Sequence, residues 1–113
     1  MSIPANLIGL KLWIDHDALV RGVDDLHGGD VDGFCRMLAD ETGLVLQRDD
    51  KGNVCGATFE HDNMTAALDD FCTDFAPYIR AGSFIELELE DDGTRCRWEF
   101  DGAECNATET PAP

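Results

Sequence analysis

Residues 83–100 read SFIELELEDDGTRCRWEF, and the fold turns on how this stretch pairs with itself. Acids alternate with aliphatics from Ile85 to Glu90, a period of two. That period sets Ile85, Leu87 and Leu89 on one face of a strand and Glu86, Glu88 and Glu90 on the other. Asp92-Gly93 is a two-residue type I′ turn signal, because both central residues of that turn need a positive φ. With this pair at the centre, Asp91 faces Thr94, Glu90 faces Arg95, Leu89 faces Cys96 and Glu88 faces Arg97. Leu87 then faces Trp98, Glu86 faces Glu99 and Ile85 faces Phe100. Apolar residues meet apolar ones and both arginines meet glutamates, an agreement that a one-residue slip would destroy. The stretch predicts a hairpin whose inner face is Ile85, Leu87, Leu89, Cys96, Trp98 and Phe100. Its outer face is Glu86, Glu88, Glu90, Arg95, Arg97 and Glu99.

The same residues imitate a calcium loop, with Glu88, Glu90, Asp92, Gly93 and Glu99 at positions 1, 3, 5, 6 and 12 of an EF-hand pattern. That loop takes short Asp or Asn side chains at its first two ligand positions and sits between helices. Here both positions hold the longer Glu and the flanks are strand-like, so no metal is assigned. Together with the preceding FAPYIRAGSFIE, the hairpin resembles the C-terminal part of small uncharacterised bacterial proteins with a PYI…GSYIE…GED…WRW.F pattern. The resemblance covers residues 75–100, about a quarter of the chain. Arg97 has a counterpart in that pattern, whereas Cys96 stands where a tryptophan is common. It implies a fold element and no activity.

Working outward, DNMTAALDDFCTDFAPYI (62–79) carries Met64, Ala67, Leu68, Phe71, Cys72 and Phe75 as a wide apolar helical stripe. Asp62 or Asn63 is the expected cap, and Pro77 ends the helix near Ala76. LVLQRDDKGNVCGATFE (44–60) reads as two strands about an RDDKGN turn in which Gly52 takes a positive φ. VDGFCRMLADETG (31–43) spaces Val31, Phe34, Met37 and Leu38 as one helical face, with Asp30 as N-cap and Gly43 as stop. Residues 16–30 are the least regular, with a short helix expected around Ala18–Val23. LIGLKLWID (7–15) is a strand with Leu10, Leu12 and Ile14 inward and Lys11 and Trp13 outward; an outward Trp13 implies a covered surface. NATETPAP (106–113) has no apolar periodicity and two prolines, which predicts a disordered tail. The expected order is β-α-ββ-α-ββ in one domain over residues 1–105. Its fold class is α+β, an antiparallel sheet of about five strands with two or three helices on one face.

The chain has 113 residues, enough for one modest core and a radius of gyration near ~13 Å. No apolar run approaches the ~20 residues that span a bilayer, and MSIPANLIGLKLW lacks the basic start and cleavage site of a signal peptide. A cytoplasmic location is expected. Cys35, Cys55, Cys72, Cys96 and Cys105 form an odd, widely spaced set without a CxxC, which reads as reduced thiols with Cys105 the most exposed.

Charge is the outlier, at −16 from 8 basic and 24 acidic residues. That excess works against binding nucleic acid or anionic membrane and steers the chain toward a basic protein. No GxSxG, P-loop or GxGxxG occurs, and the adjacent acid pairs lack the opposed cleft geometry of an acid/base dyad. Asp15, His16 and Asp17, with His27 and His61-Asp62, are the only metal-like set, without zinc-ligand spacing, and Asp15, His16 and Asp17 are the candidates within it. No catalytic residue, metal or cofactor is therefore assigned. The expected role is that of a small acidic interaction protein docking a basic partner through Asp69, Asp70 and Asp74 on the helix and Glu86, Glu88 and Glu90 on the hairpin. Acids on one strand face recur every ~6.6–6.8 Å, about two of the ~3.4 Å steps between phosphates of one DNA strand. A sharper form is therefore a DNA mimic, such as a phage or mobile-element inhibitor of a restriction or CRISPR nuclease. The alternatives are a structural or regulatory domain without mimicry, or an enzyme subunit with its site in the 15–30 loop.

Overall fold

A computed structural model describes residues 3–112. The chain runs β1 (Ile3–Lys11), α1 (His16–Leu26), α2 (Val31–Thr42), β2 (Leu44–Arg48), β3 (Val54–Phe59), β4 (Asn63–Met64) and α3 (Ala66–Asp74). A single 3-10 turn (Ala76–Tyr78) then leads into β5 (Phe84–Leu89), β6 (Arg95–Phe100) and β7 (Cys105–Thr110). The protein is α+β, with a five-stranded antiparallel sheet in the order β4-β1-β5-β6-β7 and a separate two-stranded ribbon, β2-β3. The radius of gyration is 13.5 Å.

The hairpin forms with its expected faces and a different register. Leu87 pairs with Cys96, Ile85 with Trp98, Glu86 with Arg97 and Glu88 with Arg95. This is a slip of two residues from the symmetric Asp92-Gly93 turn, and a slip of two keeps every side chain on its face. The cause lies in the turn. Among the described residues no non-glycine residue has positive φ, so Asp92 does not supply the conformation a type I′ turn requires. The strands are instead joined by Glu90–Gly93, closed by Leu89 N–H donating to the Thr94 carbonyl at 2.8 Å and Gly93 N–H donating to that of Leu89 at 2.9 Å. Only Gly93 is left-handed, at φ 72°.

Asp92 caps this loop by accepting from the Thr94 backbone N–H at 2.9 Å, a bond that holds its carboxyl below the usual carboxylate range. A carboxylate depressed on folding stabilises the native state above its unfolded pKa of about 3.9, and loses that contribution as pH falls through the lower folded value. Asp92→Ala should therefore be less stable than the parent at neutral pH, with the difference shrinking toward zero in strong acid. Paired urea titrations at pH 7 and pH 2 check this, and a pH-independent difference would contradict it.

The inner faces of the sheet and the helices share one buried cluster. Ala5, Ile85, Leu87, Cys96, Trp98 and Phe100 meet Leu19, Val23, Phe34, Leu38, Leu68, Phe71 and Phe75 there. At the centre of the helical side, the Phe75 ring stacks 5.2 Å from Phe34 and 5.3 Å from Phe71, with Tyr78 tilted at 5.2 Å. Gly22 of α1 lies against it, and a Cβ there would come within 2.5 Å of the Phe75 ring. Glycine at this point is what lets α1 close on the aromatic cluster.

Four expectations are corrected. The five strands of the main sheet are not those of the three expected strand segments, because β2-β3 forms its own ribbon while β4 and β7 take the two edges. The joint between the sheets is Ile14, which exchanges backbone bonds of 3.0 and 2.8 Å with Val54. Residues 16–26 form a full helix rather than a short one, driven by burial of Leu19, Gly22 and Val23 at helical spacing. The helix expected from Asp62 or Asn63 onward starts at Ala66 with Thr65 as N-cap, since Asn63–Met64 pair with Ile3–Pro4 as β4. The tail expected to be disordered is β7 through Thr110, ordered by its ladder with β6 although its own side chains stay largely exposed.

The capping of α2 is as the sequence predicts. Asp30 accepts from Gly33 N–H at 2.7 Å, and Gly43 closes the helix at φ 79°. Trp13 is covered from within, by Arg80 stacked 5.0 Å over its ring. Among the described residues no helix is long and apolar enough to cross a membrane.

Candidate functional site

The six carboxylates assigned to partner binding fall into three environments. Glu86 and Glu88 lie on the sheet face opposite the helices. Glu86 sits 3.1 Å from Arg97, and Glu88 lies 3.6 Å from Arg95. Arg97 also reaches Glu99 at 2.7 Å and stacks 4.1 Å over the Phe84 ring. Glu90 is in the turn, where it accepts from the Asn6 side chain at 3.2 Å. The hairpin acids thus form a cross-strand ion ladder, and much of their charge is compensated within the sheet.

The α3 acids divide. Asp69 turns toward the sheet and accepts the Trp98 indole N–H at 3.0 Å, so it orients a core residue at the β6 side. Asp70 and Asp74 turn the other way, toward α1 and α2. The structure therefore does not unite the helix and hairpin acids in one surface: sheet order places Glu86 and Glu88 on the face remote from α3.

Asp70 and Asp74 border a groove of about 220 Å³ between the C-terminal end of α1, α2 and α3. Its floor is Phe34, Met37, Ala67 and Phe71, and Glu41 of α2 also lines it, with the two aspartates on α3. Leu26, 51% exposed, and His27, whose ring lies 5.8 Å from Phe34, form the wall at the end of α1. Among the described residues the ion pairs are Arg48–Asp32, Arg80–Asp15, Arg95–Glu88 and those of Arg97 with Glu86 and Glu99. None involves Glu41, Asp70 or Asp74. Glu41, Met37 and Leu26 were not among the candidates from sequence. The helical period of α2 carries Met37 and Glu41 one turn apart, but only the packing of α3 beside α2 makes a groove of them.

A second groove, of about 350 Å³, runs between the start of α3 and the inner face of β6 and β7. Two acids line it, Glu109 of β7 and Asp69, which is already bonded to Trp98.

Asp15, His16 and Asp17 line one open hollow of about 540 Å³ together with Arg21, Lys51 and Asn53. Asp15 accepts from both the Trp13 indole N–H and Arg80, each at 2.7 Å. His16 begins α1 with its backbone N–H donating to the Asn53 side chain at 2.8 Å. Its Nδ1 is enclosed beside Gly52 without a hydrogen-bond partner. Among the described residues no group of three or more His, Cys, Asp or Glu side chains is arranged to hold a metal ion.

All five cysteines are free. Cys72 and Cys96 are buried, and burial pushes the Cys72 thiol well above its ordinary pKa. The exposed thiol is Cys55, on the ribbon, rather than Cys105. Cys105 opens β7 opposite Phe100 on the inner face and is half-buried there.

Comparison with protein-family models, with curated proteins and with solved structures finds no match for this chain.

Proposed function

We infer that the chain is a small, acidic, non-enzymatic interaction protein of the cytoplasm that docks a basic protein through the carboxylates of α3. The observation that supports this best is the pair Asp70 and Asp74, one helical turn apart, exposed and outside every ion pair of the described residues. Like charges at this spacing destabilise a helix by about 0.2–0.5 kcal/mol. A cationic partner would convert that cost into attraction. The net charge of −16 adds a long-range field that speeds encounter with a basic surface and opposes binding to nucleic acid. In the sharper form, the partner is a nucleic-acid-binding enzyme such as a restriction or CRISPR nuclease, and the carboxylates stand where phosphates would. The hairpin acids contribute less to that mimicry, because Arg95 and Arg97 neutralise them in part.

Affinity capture on the immobilised chain tests the reading. A basic nucleic-acid-binding protein should be retained at low salt, and the Asp70→Lys/Asp74→Lys variant should fail to retain it. Retention that survives ~1 M salt, where charges are screened within ~3 Å, or that is unchanged in the double variant, would overturn it.

A further inference from the structure

The geometry points to the groove between α1, α2 and α3 as the docking site of a cationic amphipathic helix from a partner protein. This rests on the reading of the chain as an acidic interaction protein, and it adds what charge alone does not supply: an apolar anchor and a binding mode.

The floor of the groove is aromatic and thioether-lined, through Phe34, Met37 and Phe71, and Met is the residue type that adapts best to varied apolar guests. Carboxylates stand on both banks, Glu41 on α2 and Asp70 with Asp74 on α3. An apolar floor between acidic banks is complementary to a segment with an apolar stripe flanked by Lys or Arg. At about 220 Å³ the groove falls below the ~300–1,000 Å³ usual for small-molecule sites. It suits inserted side chains instead.

The guest is a helix rather than a strand for a backbone reason. The banks are helices, whose N–H and C=O groups bond within their own turns, so an extended segment would find no ladder to join. A helix satisfies its own backbone and presents anchors at i, i+3 or i+4 and i+7. A second copy of this chain is the wrong occupant. It would bring two molecules of charge −16 together with Glu41, Asp70 and Asp74 at the contact, and like-charge juxtaposition disfavours association.

The probe is an 18-residue helical Leu/Lys peptide with one apolar stripe, compared with an isomer of the same composition in which the stripe is scrambled. Both are titrated into the full chain, followed by fluorescence anisotropy and by amide chemical shifts. The amphipathic peptide should bind at least tenfold tighter, with the largest shifts at Leu26, Met37, Ala67 and Asp70. Ala67→Lys, which places a cation in the groove at a helix-compatible position, should remove that preference and leave the weak binding of the scrambled isomer. Leu26→Ser, at an exposed site with little bearing on folding, should weaken the amphipathic peptide severalfold. Equal binding of the two isomers would overturn the groove while leaving the charge reading intact. So would shifts elsewhere, or tight binding unaffected by both substitutions. Failure of both peptides to bind at low salt would overturn both readings. Self-association of the free chain through these same residues in sedimentation would replace the helix with a second copy.

Discussion

Replacing Phe75 by alanine is expected to remove about 3–5 kcal/mol of stability, the range for deleting a buried aromatic ring. Small domains hold only ~5–15 kcal/mol in total, so the variant should be largely unfolded under mild denaturant. The size of the effect follows from where the ring sits. Phe75 caps α3, is 1% exposed, and stacks on Phe34 of α2 and Phe71 of α3. Tyr78 of the 3-10 turn tilts against it, and the backbone of α1 touches it at Gly22. One side chain therefore bridges all three helices and the turn. The surrounding rings are rigid and cannot collapse fully into the space it leaves. Urea denaturation followed by far-UV circular dichroism measures the loss. A change below ~1 kcal/mol, within the ordinary run of single substitutions, would show that the ring is not the hub described.

Ending the chain after Glu104 is expected to destabilise it. The ladder of the six-residue strand, at about 0.5–1.5 kcal/mol per net hydrogen bond, is offset by an ordering cost of about 1–2 kcal/mol per residue, so the loss comes from uncovering the apolar face of β6, at about 25 cal/mol per Å². β7 pairs Cys105 with Phe100, Ala107 with Trp98 and Glu109 with Cys96. Without it, β6 becomes an open edge beside the buried Trp98, and exposed edges invite pairing between molecules. The truncated chain should melt earlier and aggregate at concentrations the parent tolerates. An unchanged midpoint, or amides of 105–110 that exchange as fast as a free peptide, would show that this segment stands outside the cooperative unit.

How legible each element was depended on whether its order is local. Helix α2 was readable end to end, because Asp30 and Gly43 act through bonds made within a few residues of themselves. The faces of β5 and β6 were readable too, since alternation survives any even slip. Their register was not, because it depends on whether Asp92 accepts a positive φ, and the chain found a loop in which only Gly93 must. Helix α1 was underestimated because its buried stripe passes through Gly22, which carries no apolar signal in a sequence although the Phe75 ring requires it there. β7 was missed for a related reason. Its inner face offers only Cys105, Ala107 and Glu109, so nothing in its own side chains announces a strand.

The candidate site shows the same division. That α3 carries Asp69, Asp70 and Asp74 outside its apolar stripe is a property of 3.6-residue periodicity. That Asp69 serves Trp98 while Asp70 and Asp74 look across a groove at Glu41 is decided by which neighbour packs on each flank of the helix.

The opening stretch, SFIELELEDDGTRCRWEF, states its two faces and its opposed charges unaided, because side-chain alternation is a property of the strand backbone. Its composition already places two arginines among the acids of its outer face. Which glutamate each arginine meets, which strands flank the hairpin and where an uncompensated acidic bank remains are all long-range outcomes. They depend on sheet order and helix packing, and those are settled by contacts between residues far apart in the chain.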